Sequence, residues 1–116
     1  MEIRLEDYNF YVRPGRTDMR KGSVGLALIA QDEMGLQPFE QYVFLFCGTS
    51  RRIIKAIVWN GNGWLEIIKR LECGSSFKWP ATAEDALQIK IEDLLLLLKG
   101  YDIWRRFPVY TPKLVG

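Results

Sequence analysis

Near the start of the chain, Arg13-Pro-Gly-Arg16-Thr-Asp18-Met-Arg20-Lys21 gathers four cations in nine residues. That spacing suits phosphate binding better than bond chemistry. Thr17 can cap a helix beginning there, which would set Arg20 and Lys21 in its first turn. Exposed cations in a first turn oppose the helix dipole by about 0.3–1 kcal/mol each. The placement makes sense if an anion fills the helix N-terminus, where free backbone N–H groups already point. Asp18 offsets part of the repulsion, orienting Arg20 or capping the helix. A solvated charged turn with an Asp–Arg pair accounts for the same residues.

Two further clusters follow. Arg51-Arg52, with Lys55 beyond, sits in a turn, where cations usually just keep a loop hydrated. Lys69-Arg70-Leu-Glu72 and then Phe77-Lys78-Trp79-Pro80 interleave cations with aromatics. Such mixing suits tracking of a nucleic-acid backbone with base stacking, worth about 1–3 kcal/mol per base. The competing reading puts Trp59, Trp64, Phe77 and Trp79 in the core. The candidate contacts are Arg13, Arg16, Arg20 and Lys21 for phosphate, with Lys69, Arg70 and Lys78 in support. Trp79 is the candidate stacking residue, and Thr17 and Asp18 are supporting residues.

Catalytic chemistry finds little to work with. The chain has no histidine, which removes the usual general base for a Ser or Cys nucleophile and the commonest zinc ligand. A two-metal site needs several carboxylates converging on ions roughly 3.5–4 Å apart. Only Asp18, Glu66 and Glu72 lie in the motif-rich stretches, and Glu66 can pair with Lys55 across a hairpin. The Gly61-Asn-Gly63 turn is followed by a strand pattern rather than a helix, so it does not read as a phosphate loop. The expectation is a protein that is not an enzyme and takes no cofactor or metal, with Cys47 and Cys73 as buried thiols.

The elements that must position these residues fit in 116 residues, 48% of them apolar and 13% aromatic, enough to fill the core of one domain over residues 1–116. Net charge is +2, so any nucleic-acid footprint must come from local clustering. No cationic start precedes an apolar stretch, and the longest apolar run, Leu94 to Leu98, is too short to cross a bilayer. A cytoplasmic protein without membrane contact is expected.

Tyr8 to Val12 alternates like a strand and stops at Pro14-Gly15. A helix over Thr17–Met34, closed by Gly35, carries an apolar stripe of Met19, Leu26, Ile29 and Ala30. Gly22 and Gly25 lower its intrinsic stability and suggest close packing. Tyr42 to Cys47 reads as a central strand buried on both faces, and Ile53–Trp59 and Trp64–Leu71 as a hairpin around Asn60-Gly61-Asn62-Gly63. Any two-residue shift of that turn keeps Ile54, Ala56, Val58, Leu65, Ile67, Lys69 and Leu71 on one face. Phe77–Trp79 offers a short further strand, and Thr82–Ala86 a polar connection or helical turn. Ile91–Lys99 reads as a short helix ended by Gly100, with leucines around its circumference, to be buried or docked on a partner. The tail, Tyr101 to Gly116, holds Trp104, Arg105, Arg106, Phe107 and Tyr110. The fold class is therefore α+β: a mainly antiparallel sheet of three to five strands, one long helix packed on it, and a Leu-rich helix near the C-terminus.

The order Thr17-Asp-Met-Arg-Lys-Gly22, Pro38-Phe39, Val43-Phe-Leu-Phe46, Lys55, Trp59-Asn-Gly-Asn-Gly63, Lys69-Arg-Leu-Glu72, Phe77-Lys-Trp-Pro80 and Leu98-Lys-Gly100 resembles the second-reading-frame accessory protein, TnpB, of the IS66 family of bacterial insertion sequences. The resemblance covers Tyr8 to Asp102 and leaves 103–116 outside. It implies participation in transposition beside a separate, larger transposase that carries the strand-transfer carboxylates. Asn60 stands where that family commonly has an acid. The stretch from Cys47 to Ile53 is less basic than in similar proteins, and Cys73–Phe77 is one residue longer.

Together these readings give a non-catalytic transposition accessory protein contacting DNA phosphates, with DNA and the transposase of the same element as partners. The alternative is an interaction subunit that docks on the transposase or self-associates without touching DNA. There Leu95 and Trp104 are the partner-binding residues.

Overall fold

The computed structural model describes residues 4–72, 74–82 and 86–105. Cys73, most of the Thr82–Ala86 connection and the tail residues Arg106, Phe107 and Tyr110 lie outside that range. Five strands form one sheet: β1 (Asn9–Val12), β2 (Tyr42–Cys47), β3 (Ile53–Trp59), β4 (Trp64–Arg70) and β5 (Leu87–Ile89). Their spatial order is β4-β3-β2-β1-β5. Only β1 and β2 run parallel, Asn9 opposite Tyr42 and Val12 opposite Leu45; the other three pairings are antiparallel. The α+β architecture is thus the expected one.

Each face of the sheet carries its own helix. Helix α1 (Ser23–Asp32) crosses from β1 to β2 and buries Leu26, Ala27, Ile29 and Ala30 on Phe44, Phe46 and Ile57. Helix α2 (Ile91–Leu98) covers the other face, placing Leu94 and Leu97 over Phe10, Val12, Val43 and Leu45. Alternate residues of β2 therefore enter opposite cores, the physical meaning of its unbroken apolar run. The hairpin closes with Trp59 opposite Trp64 and the Asn60 N–H on the Gly63 carbonyl at 3.1 Å, a turn centred on Gly61-Asn62. Ile54, Ala56 and Val58 face inward as expected, but Ile67 on the same face is exposed. It belongs to an edge strand that α2 does not reach.

Three local expectations need correction. The first helix begins at Ser23, not Thr17, because the Thr17 N–H is held by the Cys47 carbonyl at 2.8 Å and residues 18–21 form a turn, Lys21 N–H to Asp18 carbonyl at 3.1 Å. Arg20 and Lys21 therefore precede the helix and do not occupy its first turn. It ends at Asp32, and the Leu36 N–H reaches back to the Ala30 carbonyl at 3.0 Å past a left-handed Gly35, the closure that glycine permits. Phe77–Trp79 is not a strand; its rings fill the α2-side core from a loop. The fifth strand is instead Leu87–Ile89, too short to show alternation by itself, and the β1 edge gives it its register.

Gly22 and Gly25 are not sites of tight packing. A Cβ at Gly22 would meet nothing within 4 Å, and one at Gly25 only the Lys21 side chain. The close approach is at Gly48, where a Cβ would lie 2.7 Å from Met19 Cγ.

Candidate nucleic-acid interface

Parallel pairing of β1 with β2 delivers both chains to the same rim of the sheet. The loops 13–22 and 48–52 leave from their carboxyl ends, the edge where ligands gather when parallel strands feed adjacent loops. The antiparallel register brings the end of β4 to that rim too, since Ile53 lies opposite Arg70. The loop 71–81 starts there. Backbone hydrogen bonds join the three loops: Gly15 N–H to the Pro80 carbonyl at 2.8 Å, Phe77 N–H to Arg51 at 2.6 Å, and Leu71 N–H to Arg52 at 2.8 Å.

Between them opens a cleft of about 450 Å³, walled by Gly15-Arg16, Gly48-Thr49, Arg51 and Trp79-Pro80. A second concavity of about 600 Å³ shares Arg16, Gly48 and Thr49 and runs along Asp18–Arg20 and Ser50. Gly15 lines the first. Its φ is +78°, and a Cβ would sit 3.4 Å from the Ala81 carbonyl oxygen. Arg51 is the one non-glycine residue with positive φ among the described residues, at 61°. A left-handed conformation costs an L-residue about 1–2 kcal/mol, and strain of this kind concentrates at binding sites.

The rim sorts the candidate cations by what already occupies them. Arg13 is 22% exposed and held by its own chain. Its guanidinium donates to the Arg16 carbonyl at 3.0 Å, to Thr17 Oγ1 at 2.9 Å and to the Glu33 carboxylate. It fastens the β1 loop to the end of α1, with buried Thr17 as its support. Arg20 projects into solvent, but Asp18 holds it through Nε at 3.0 Å and Nη2 at 2.8 Å. Those bonds keep the Asp18 carboxyl well below the usual carboxylate range and raise Arg20. Asp18 also accepts the Arg20 backbone N–H at 2.9 Å, so it builds the turn and orients Arg20 without capping α1. Lys21 is exposed, and its carbonyl accepts Lys55 Nζ at 2.9 Å.

Arg16 and Arg51 differ. Both are exposed, both line the same cleft, and neither meets a carboxylate among the described residues. Lys69, Arg70 and Lys78 are exposed as well, without an ion pair among the described residues. Lys69 and Arg70 stand at the end of β4, Lys78 on the adjoining loop.

Trp79 is placed differently from a stacking platform. It is 6% exposed, packed in the core, and its indole N–H donates to the Arg13 carbonyl at 2.8 Å. It also borders the cleft. Trp104 is half-buried and spends its indole N–H on the Lys78 carbonyl at 2.6 Å, bracing the rim from behind. Leu95 is exposed on α2. Glu66 meets Lys55 at 3.5 Å, the hairpin pair expected, and among the described residues no three Cys, Asp or Glu side chains gather as a metal-binding group. No helix among the described residues is long and apolar enough to cross a membrane.

A model of the family described as IS66 Orf2-like protein matches residues 8–107, nearly the whole described chain and all of the rim. The chain belongs to the IS66 Orf2-like family. As a member it has a transposition-associated accessory role. The chain is similar to uncharacterized protein y4hO of Sinorhizobium fredii, 36% identical over 100 residues that cover 86% of this chain and 85% of that protein. It is also similar to y4jC of the same organism, 31% identical over 101 residues, 85% of this chain and 86% of the relative. No solved structure matches it.

The contribution of Arg51 to this IS66 Orf2-like protein is weakly marked in sequence. Gly48-Thr-Ser-Arg51 looks like an ordinary turn, and only the cross-loop bonding converts it into a wall of the cleft that Arg16 also lines. The role of Glu33 as partner to Arg13 leaves no sequence signal, since twenty residues separate them.

Proposed function

We propose that this IS66 Orf2-like protein is a non-catalytic transposition subunit that holds DNA by its phosphates along the basic rim. The observation that carries the reading is the pair Arg16 and Arg51, two exposed guanidinium groups on one cleft without carboxylate partners among the described residues. A guanidinium fork matches two phosphate oxygens, and its charge is permanent. Lys21, Lys69, Arg70 and Lys78 extend the rim on either side, and Arg20 joins them with part of its charge offset by Asp18. Phosphate contacts position a protein on a duplex and carry no base information. Recognition of the element ends then rests on the transposase or on DNA shape.

The test is a salt titration of affinity for element-end DNA and for unrelated duplex. Log affinity falls with log salt at about −0.9 per phosphate contact. The Arg16→Ala, Arg51→Ala double variant flattens the slope by about 1.8. A wild-type affinity indifferent to salt overturns the reading.

A second reading is favoured by the outer face of α2, where Leu95 is 52% and Leu96 41% exposed. Adjacent exposed leucines on a helix suit docking against the transposase. Loss of transposase capture in Leu95→Glu, with DNA affinity absent throughout, supports this reading over the first.

A further inference from the structure

The two edges of the sheet are unequal. β5 is three residues long, which blunts an edge, but β4 offers seven residues with nothing paired on its outer side among the described residues. Long open edges are templates for pairing with another strand. Midway along β4, Ile67 is 57% and Ile68 52% exposed, on opposite faces. Beside Ile67 an apolar groove of about 490 Å³ lies between β4 and α2, with Val43, Leu45, Ala56 and Val58 at its base and Leu94 on its far wall.

The hairpin settles which backbone groups of β4 point outward. The Asn60 N–H bonds the Gly63 carbonyl, and the Leu71 N–H bonds the Arg52 carbonyl. Antiparallel pairs alternate between bonded and non-bonded, so Leu65, Ile67 and Lys69 turn their amides toward β3. Trp64, Glu66, Ile68 and Arg70 turn theirs to solvent.

We infer that β4 pairs antiparallel with β4 of a second copy about a two-fold axis at Ile68, joining two sheets into one of ten strands. Charge selects this register. A two-fold at Glu66 sets that carboxylate against its own copy. A two-fold at Lys69 opposes two ammonium groups and sets Glu66 against Glu72. A two-fold at Ile67 brings no like charges together but forms no ion pair. With the axis at Ile68, Glu66 faces Arg70 of the second copy, and Arg70 faces its Glu66, on the α1 face. Ile68 meets Ile68 between them. On the α2 face Leu65 meets Leu71, and Ile67 meets the alkyl stem of Lys69, so the apolar side of the groove continues across the junction. The bonded pairs of this register use only the outward amides. Glu66 keeps its 3.5 Å contact with Lys55, since a carboxylate has acceptor sites for both.

The dimer occupies Arg70 with the second copy's Glu66 and so withdraws it from the phosphate rim, and it is tested without DNA, on the full chain, by sedimentation across a concentration series. Wild type is expected to show a concentration-dependent dimer. Arg70→Glu opposes like charges at two symmetric positions and weakens the dimer at least about fourfold, by the usual size of cross-strand pairs. The swap Glu66→Arg with Arg70→Glu restores it to within about threefold of wild type. Ile68→Lys, at an exposed position that leaves the monomer folded by circular dichroism, sets two ammonium groups on the axis and abolishes the dimer. A wild type monomeric at every concentration overturns the inference. So does a dimer indifferent to Arg70→Glu and Ile68→Lys, or one dissociated by Leu95→Glu in their place.

Discussion

The indole N–H of Trp79 donates to the main-chain carbonyl of Arg13 at 2.8 Å, across 66 positions of sequence. This bond ties the loop after β4 to the loop after β1 and fixes the width of the cleft between them. Trp79→Phe keeps a buried ring but leaves that carbonyl without its donor, a loss of about 1–3 kcal/mol. Trp79→Ala opens a cavity as well and lowers stability by about 3–5 kcal/mol. Urea unfolding reads both. Trp79→Phe, assayed where it is fully folded, retains DNA affinity within about threefold, below the roughly 1–3 kcal/mol of a stacked base. A larger loss there would return Trp79 to a stacking role.

Arg51 and Arg13 should separate binding from stability. Arg51→Gly relieves a left-handed residue, partly offset by the chain entropy of glycine, and raises stability by about 0.5–1 kcal/mol. The same change reduces the salt slope of DNA binding by about 0.9. Arg13→Ala reverses the pattern. It strips Thr17 and Glu33 of their partner, lowers stability by about 1–3 kcal/mol, and leaves the slope close to wild type. Thermal unfolding and salt titration of the two variants side by side give the comparison.

Asp18 predicts a pH signature. Arg20 lowers its carboxyl from the ordinary value of 3.8. A lowered value means that the pairing is intact above pH 3.8 and is lost only as pH falls through the folded value. Carboxyl chemical shifts followed by NMR should show Asp18 still ionised below pH 3.8, and returned to the ordinary range in Arg20→Ala. Asp18→Asn frees Arg20 and steepens the salt dependence of DNA binding by up to about 0.9.

Cys47 is fully buried at the end of β2, and burial pushes its thiol up to about 11. The thiolate is the reactive form, so in folded protein at pH 8 Cys47 resists alkylation, and unfolding exposes it. Peptide mass mapping after a brief iodoacetamide pulse distinguishes it from Cys73. Because the folded value is raised, the associated stability is complete below pH 9 and declines as pH rises toward 11. A Cys47→Ala variant should lose that alkaline decline.

Several readings were available from residue order because their causes are local. Asn60-Gly61-Asn62-Gly63 fixes the hairpin and its faces, and the unbroken run from Tyr42 to Cys47 announces a strand buried on both sides. The leucines of α2 and the ordered motifs from Thr17 to Gly100 carried the family. Helix limits were less legible. Thr17 looks like a cap until β2 takes its amide, and the turn at Asp18 postpones the helix to Ser23.

The site divides along the same line. Sequence by itself determined which side chains are permanently charged and that no histidine is present to do catalysis. It could not say which cations are free, because that depends on partners distant in the chain. Glu33 occupies Arg13, whereas Arg16 and Arg51 line one cleft that exists only after three loops are bonded at one rim. Sequence sets the charge a residue carries. Tertiary structure decides whether that charge is already neutralised, because an ion pair forms at the range of a few ångströms in space whatever the separation along the chain.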